Sequence, residues 1–226
     1  MININNKQDC CGCSACAQRC PKQCISMIED EEGFLYPQVD TSKCVDCHLC
    51  EKVCPVINQD EARTPLKVYA AKNSDDEIRL KSSSGGIFTL LAEQTIKDGG
   101  VVFGARYDTE WNVIHDYTET IEGLSAFRGS KYVQSNINRS FFKVKTFLES
   151  GRNVLFSGTP CQVAGLKLFL RKNYDNLLTL EIVCHGVPSR NVWRNYLKEL
   201  IDLKKISNIK SINFRDKKYG WNGYHF

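Results

Sequence analysis

The chain has 226 residues, of which 42% are hydrophobic and 25% charged, with a net charge of +4 and twelve cysteines. Its charge is split, −4 over residues 1–60 and +8 over residues 61–226, so an acidic head precedes a basic body suited to an anionic ligand. The basic residues are scattered without interleaved aromatics, which argues against nucleic acid, and no apolar run approaches the roughly 20 residues that cross a bilayer.

Two copies of one cysteine pattern open the chain: Cys10-x2-Cys13-x2-Cys16-x3-Cys20-Pro21 and Cys44-x2-Cys47-x2-Cys50-x3-Cys54-Pro55. This is the run by which bacterial ferredoxins hold two [4Fe–4S] clusters, where the cysteine before proline ligates the other cluster. The expected ligand sets are Cys10, Cys13, Cys16 and Cys54 for the first cluster, and Cys44, Cys47, Cys50 and Cys20 for the second. Zinc sites normally use CxxC pairs and would leave the third and fourth cysteines of each run unexplained. Disulfides need an oxidising compartment, and Met1–Asp9 carries no apolar stretch of the signal-peptide kind; a cytoplasmic location is expected.

The two runs read as halves of an internal repeat packed about a pseudo-twofold. Between them, Ile25–Ile28 and Phe34–Val39 are predicted strands joined by a turn at Glu32-Gly33. The acidic run Glu29–Glu32 at the hairpin tip is expected to be a solvated loop. Cys11 and Cys24 fall outside the repeat and read as buried small hydrophobes. His48 is expected to face solvent or a cluster sulfide, since four thiols are already available. A polar stretch with Pro65 separates a domain at 1–60, by a linker at 61–66, from a second domain at 67–226.

The second domain alternates helices and strands. Helices are predicted over Gly85–Lys97, Ser140–Ser150, Pro160–Arg171 and Arg190–Leu203, and strands over Val101–Ala105, Asn112–Tyr117, Asn153–Phe156 and Leu177–Cys184. The last four elements follow β–α–β–α order, which implies parallel strands, so the fold class is α+β: a dicluster ferredoxin domain followed by an α/β domain with a partly parallel sheet. Ligands gather at the carboxyl ends of such strands. There, Thr159 caps a helix with Pro160 at its first position and Cys161 in its first turn, where a thiolate is favoured. Cys184 ends the neighbouring strand. Two cysteines cannot complete a third four-thiolate cluster, and packed thiols lining a crevice are the plainer alternative. Lys81-Ser82-Ser83-Ser84-Gly85-Gly86 leads straight into a helix and suits an anion, although an ordinary serine-rich cap explains it equally well. Arg128-Gly129-Ser130-Lys131 is a second basic loop that fits a phosphate or carboxylate.

The strings KSSSGG at 81–86, RGSKYV at 128–133, SGTPCQVAGLK at 157–167, VCHGVPS at 183–189 and NFRDKKYGW at 213–221 follow the cysteine domain in that order. Together they resemble the coenzyme F420 hydrogenase/dehydrogenase beta-subunit family over essentially the whole chain. The resemblance implies a flavin-containing iron–sulfur oxidoreductase, with FAD held by residues 81–86 and by Arg128, Ser130 and Lys131. From their positions, each after a buried strand and one at a helix N-terminus, Cys161 and Cys184 are expected to line the flavin or acceptor crevice. Electrons would pass between the clusters and a partner protein or a small-molecule acceptor, which need not be the deazaflavin. Family members continue past Phe226, so a truncated chain is expected. The competing reading is an electron carrier whose second domain docks a partner without flavin.

Overall fold

The computed structural model describes residues 1–59, 61, 64–206, 208–217 and 220. Each cysteine run begins as a loop and closes in a short helix, α1 (Ala15–Arg19) in the first and α2 (Leu49–Lys52) in the second. Between the runs, β1 (Ile25–Glu29) and β2 (Leu35–Val39) pair antiparallel, with Ile25 opposite Val39 and Glu29 opposite Leu35. The repeat is visible in the backbone itself. Gly12 and Ser14 in the first run, and Asp46 and His48 in the second, all lie in the left-handed region with φ between 50° and 63°. Three thiols spaced three residues apart converge only if the chain reverses between them, and these left-handed residues supply the reversal.

The body adds α3 (Asp76–Leu80), α4 (Ile87–Lys97), β3 (Val101–Tyr107), β4 (Val113–Thr118), a 3-10 turn at Glu122–Phe127, α5 (Ser140–Glu149), β5 (Val154–Gly158), α6 (Pro160–Leu170), β6 (Leu177–Glu181) and α7 (Arg190–Lys204). Its sheet has the order β4-β3-β5-β6; β3 and β4 run antiparallel, whereas β3, β5 and β6 run parallel. Both central strands bury apolar runs on two faces. Val101, Phe103, Val154 and Phe156 meet α5 and α6 through Phe141, Val144, Val163, Leu166 and Phe169. Val102 and Leu155 point the other way, to Ala92 of α4 and Leu124, as the two-residue period of a strand requires. α7 closes the far side, with Trp193 and Leu197 against Val113 and Val133.

Three expectations change. The strand predicted to reach Cys184 ends at Glu181, because its partner β5 ends at Gly158; Ile182 N–H still donates to the Gly158 carbonyl, and Val183 beyond it is 82% exposed. The helix predicted over Gly85–Lys97 starts at Ile87, with Gly86 as a left-handed cap. α3 was not foreseen, since five residues are too few to show a period. Of the linker predicted at 61–66, Ala62 and Arg63 lie outside the described residues, and Leu66 is exposed.

The acidic run is divided: Glu31 and Glu32 are exposed at the turn, as expected, whereas Glu29 and Asp30 are paired. Glu29 ends β1 and accepts two hydrogen bonds from Arg194, at 3.0 and 2.6 Å, and pairs with Arg190 at 2.9 Å. These contacts tie the hairpin to α7, and Asp30 meets Lys7 at 2.6 Å. A tighter seam joins α1 to α6, where Cys13, Ala15 and Val53 enter the same core as Val163 and Leu166. A Cβ at Gly165 would lie 3.0 Å from Cys13 Sγ. Gly165→Val should therefore lower stability by about 2 kcal/mol in urea unfolding through overpacking, whereas Glu29→Gln, at a partly exposed ion pair, should cost less than about 1 kcal/mol. Equal effects would mean that the seam is held by charge and not by close packing.

Candidate iron–sulfur and anion sites

The cysteine loops enclose two cavities. One, of ≈ 340 Å³ counting its open mouth, is lined by Cys20, Cys24, Cys44, Cys47 and Cys50, with Met1 and His48 at its edge. The other, of ≈ 300 Å³, is lined by Cys10, Cys11, Cys13, Cys16 and Cys54. Each therefore gathers three cysteines of one run and the pre-proline cysteine of the other. The donor chemistry fits iron–sulfur clusters, with thiols converging on a largely apolar hollow. Burial pushes the Cys16 thiol up to about 12 and raises those of Cys10 and Cys50 as well. The protein alone thus keeps protons on these sulfurs, and iron binding must release them. His48 is half exposed, and its Nδ1 lies 2.8 Å from a Glu51 carboxylate oxygen. Among the described residues no helix is long and apolar enough to cross a membrane.

Cys11 and Cys24 do more than fill space. Cys24 is 4% exposed, with its sulfur 3.3 Å from Cys20 Sγ. Cys11 packs against the body core, and its thiol, pushed up to about 12, responds most to neighbouring Cys13 and then to Cys161. Cys161 occupies the first turn of α6, 3.1 Å from Thr159 Oγ1. The expectation of a thiolate there is corrected: the hydrogen bond to Cys11, then burial, push this thiol well above its ordinary range. Cys161 thus faces the first cysteine loop. Cys184 lies at the corresponding end of β6 in an exposed loop, where Gly186 N–H reaches its sulfur at 3.4 Å.

The two basic loops come together. Ser130 N–H donates to Ser83 Oγ at 2.6 Å, and Arg128 Nε donates to Thr89 Oγ1 at 3.2 Å on the first turns of α4. Lys131 turns its ammonium onto the carbonyls of Ala126, Arg128 and Gly129. Burial pushes its pKa down to about 8. Lys131 therefore shapes its loop. Ser82 Oγ returns to the Ile78 carbonyl, Lys217 Nζ donates to the Arg79 and Ser82 carbonyls, and Ser84 and Lys81 remain exposed. Gly85 serves packing, since a Cβ there would meet the Ala71 carbonyl at 2.8 Å. α4 and α6 both begin at the carboxyl edge of the parallel strands they precede or follow, so these loops and Cys161 share that edge.

Residues 9–58 match the 4Fe-4S dicluster domain. Residues 68–141 and 151–225 match the N-terminal and C-terminal parts of the coenzyme F420 hydrogenase/dehydrogenase beta subunit. The chain belongs to this beta-subunit family and carries a dicluster domain at its N-terminal end. A ferredoxin of Mycolicibacterium smegmatis is 35% identical over 74 residues, which are 31% of this chain and 65% of that protein. A 7Fe ferredoxin of Hydrogenibacillus schlegelii is 35% identical over 65 residues, 27% of this chain and 77% of that one. A chain of the F420-reducing [NiFe] hydrogenase complex from Methanosarcina barkeri aligns with a TM-score of 0.43 and 22% identity, covering 58% of this chain and 47% of its own.

Sequence reasoning missed the buried network beneath the carboxyl edge of this beta subunit. His115 is 3% exposed, with Nδ1 2.9 Å from Ser135 Oγ and Nε2 3.0 Å from the Ser157 carbonyl. Gln162 donates to Ser135 Oγ at 2.8 Å and accepts the Thr159 N–H at 3.0 Å. The SGTPCQ string is thereby fixed from below, and the glutamine three residues after the capping threonine was the signal available for it. Burial pushes the His115 pKa down to about 4. Above pH 6.5 the ring is neutral both folded and unfolded; below it the unfolded chain binds a proton that the fold rejects, so stability falls as pH drops toward 4. This residue should cost about 1 kcal/mol between pH 7.5 and 5.5 in urea unfolding. His115→Gln should be less stable throughout but show a smaller fall over that interval; an equal fall would mean the ring accepts its proton in place.

Proposed function

We propose that this protein is an oxidoreductase that passes electrons between two [4Fe–4S] clusters and a flavin in its basic body, FAD being the form that fits the family. The observation that carries the reading is the lining of the two cavities, each with three thiols of one run and the pre-proline thiol of the other. Cys10, Cys13, Cys16 and Cys54 would hold the first cluster, and Cys44, Cys47, Cys50 and Cys20 the second. A full set of four ligand thiols among the five cysteines at each cavity favours eight irons per chain over the seven in the name of the Hydrogenibacillus relative.

Residues 81–86 and the Arg128–Lys131 loop would frame the flavin phosphates. Exposed Lys81 and Ser84 would face the anion, Ser130 and Ser83 would hold the two loops together, and Lys131 would hold the shape of its own loop. Bound clusters exchange single electrons, and a bound flavin converts these to two-electron chemistry toward a small acceptor or a partner protein. The chain's own contribution is spatial. α6 presents Cys161 to the first cysteine loop at one end, and the sheet edge presents the basic loops beside it. Cys161 and Cys184 are assigned to the wall of the acceptor crevice, Cys161 on the cluster side and Cys184 on the solvent side.

Cys54→Ser should halve iron and sulfide from about eight to about four per chain and remove the first cluster's resonance signal. Loss of the second cluster's signal instead would refute the crossed ligation. Ser84→Glu should lower flavin retained through anaerobic purification at least tenfold at unchanged iron, by setting a carboxylate against the phosphates. Unchanged flavin would remove this loop from the site.

A further inference from the structure

The two cysteine runs place left-handed residues at matching positions, and one matched pair is unequal. Gly12 and Asp46 each follow the first cysteine of their run by two residues, with φ of 63° and 50°. Asp46 shows that this backbone tolerates a side chain, and it is exposed. Gly12 is buried, and a Cβ there would lie 2.7 Å from Gln134 Nε2 and 2.9 Å from the Leu35 carbonyl oxygen. Glycine is therefore required at this position by what packs on it, and the nearest of these atoms belongs to the body.

Gln134 is firmly mounted. Its N–H donates to the Pro188 carbonyl at 3.3 Å, within the VCHGVPS string. Ser135 beside it is bonded to His115 and Gln162. Asn136 is laced to β4, donating to the Val113 carbonyl and accepting the His115 N–H. From this mount the Gln134 side chain crosses to the cysteine domain, where its Oε1 accepts the Leu35 N–H at 3.4 Å at the start of β2. Its amide thus lies against the residue that separates Cys11 from Cys13. That residue also acts on a ligand sulfur: burial raises the Cys10 thiol, and the Gly12 N–H opposes this by favouring the thiolate.

We infer that Gln134 is a positioning residue for the first cluster, holding the Gly12 peptide toward the Cys10 sulfur and thereby setting that cluster's reduction potential from the body. The inference rests on the dicluster reading. Hydrogen bonds to cluster sulfurs are one of the levers on potential, because they favour the more negative, reduced state. At the matching position of the second loop Asp46 is exposed, so the same adjustment does not reach the second cluster.

The test compares Gln134→Ala and Gln134→Met with the unaltered protein and with Glu29→Gln, which loosens the seam elsewhere, all purified and reconstituted anaerobically. Iron and sulfide are counted, and both clusters are titrated potentiometrically by electron paramagnetic resonance, their signals assigned with Cys54→Ser. Met keeps much of the bulk of glutamine without its amide, so it separates the amide from simple filling. Both Gln134 variants should keep about eight irons and make reduction of the first cluster about tenfold less favourable, a fall of about 59 mV for a one-electron couple. The second cluster should not move, and Glu29→Gln should move neither. An unmoved first-cluster potential in either Gln134 variant would overturn the inference. Equal shifts of both clusters, or the same shift in Glu29→Gln, would overturn it as well, because general loosening would then be the cause. Fewer than about eight irons in the unaltered protein would count against the dicluster reading itself, which keeps the two failures apart.

Discussion

A loop of three cysteines spaced three apart reaches three corners of a cubane, and the fourth must come from elsewhere. That constraint organises this molecule. It makes the two runs interdependent, since each cavity is lined by a cysteine that belongs to the other run. It also accounts for left-handed backbone at Ser14, Asp46 and His48, where a side chain raises the conformational cost that glycine would avoid. The β1–β2 hairpin is the strut between the two loops, and its outer end reaches the body through Glu29.

The consequence for electron transfer is an asymmetry between two otherwise similar cavities. The first lies against α6, where Gly165 allows Cys13 to approach and Cys11 lies near Cys161. The second opens at the far side, with Cys47 exposed. An inner and an outer site in series, with the inner one next to the carboxyl edge of the parallel strands, is the arrangement that a relay between solvent and body requires.

The cysteine pattern was legible because metal ligation fixes both residue type and spacing, leaving few alternatives. The central strands were legible for a related reason: Val101–Phe103 and Val154–Phe156 are buried on both faces and read as unbroken apolar runs. What escaped depends on tertiary contact. Glu29 looks like one more surface acid until α7 brings Arg190 and Arg194 to it. Cys161 sits where a helix dipole favours thiolate, but burial against Cys11 outweighs the dipole. His115 stands in an ordinary half-buried strand, and nothing local announces that Ser135 and Ser157 will surround it.

The account turns on a flavin in electronic contact with the clusters, and an anaerobic reductive titration of the intact protein, followed by visible absorption, tests that most directly. It predicts flavin bands superposed on broad cluster absorption, both bleaching as electrons are added, with electrons first given to the clusters appearing in the flavin. Cluster absorption that bleaches with no flavin band beneath it would contradict the account and leave an electron carrier with a docking domain.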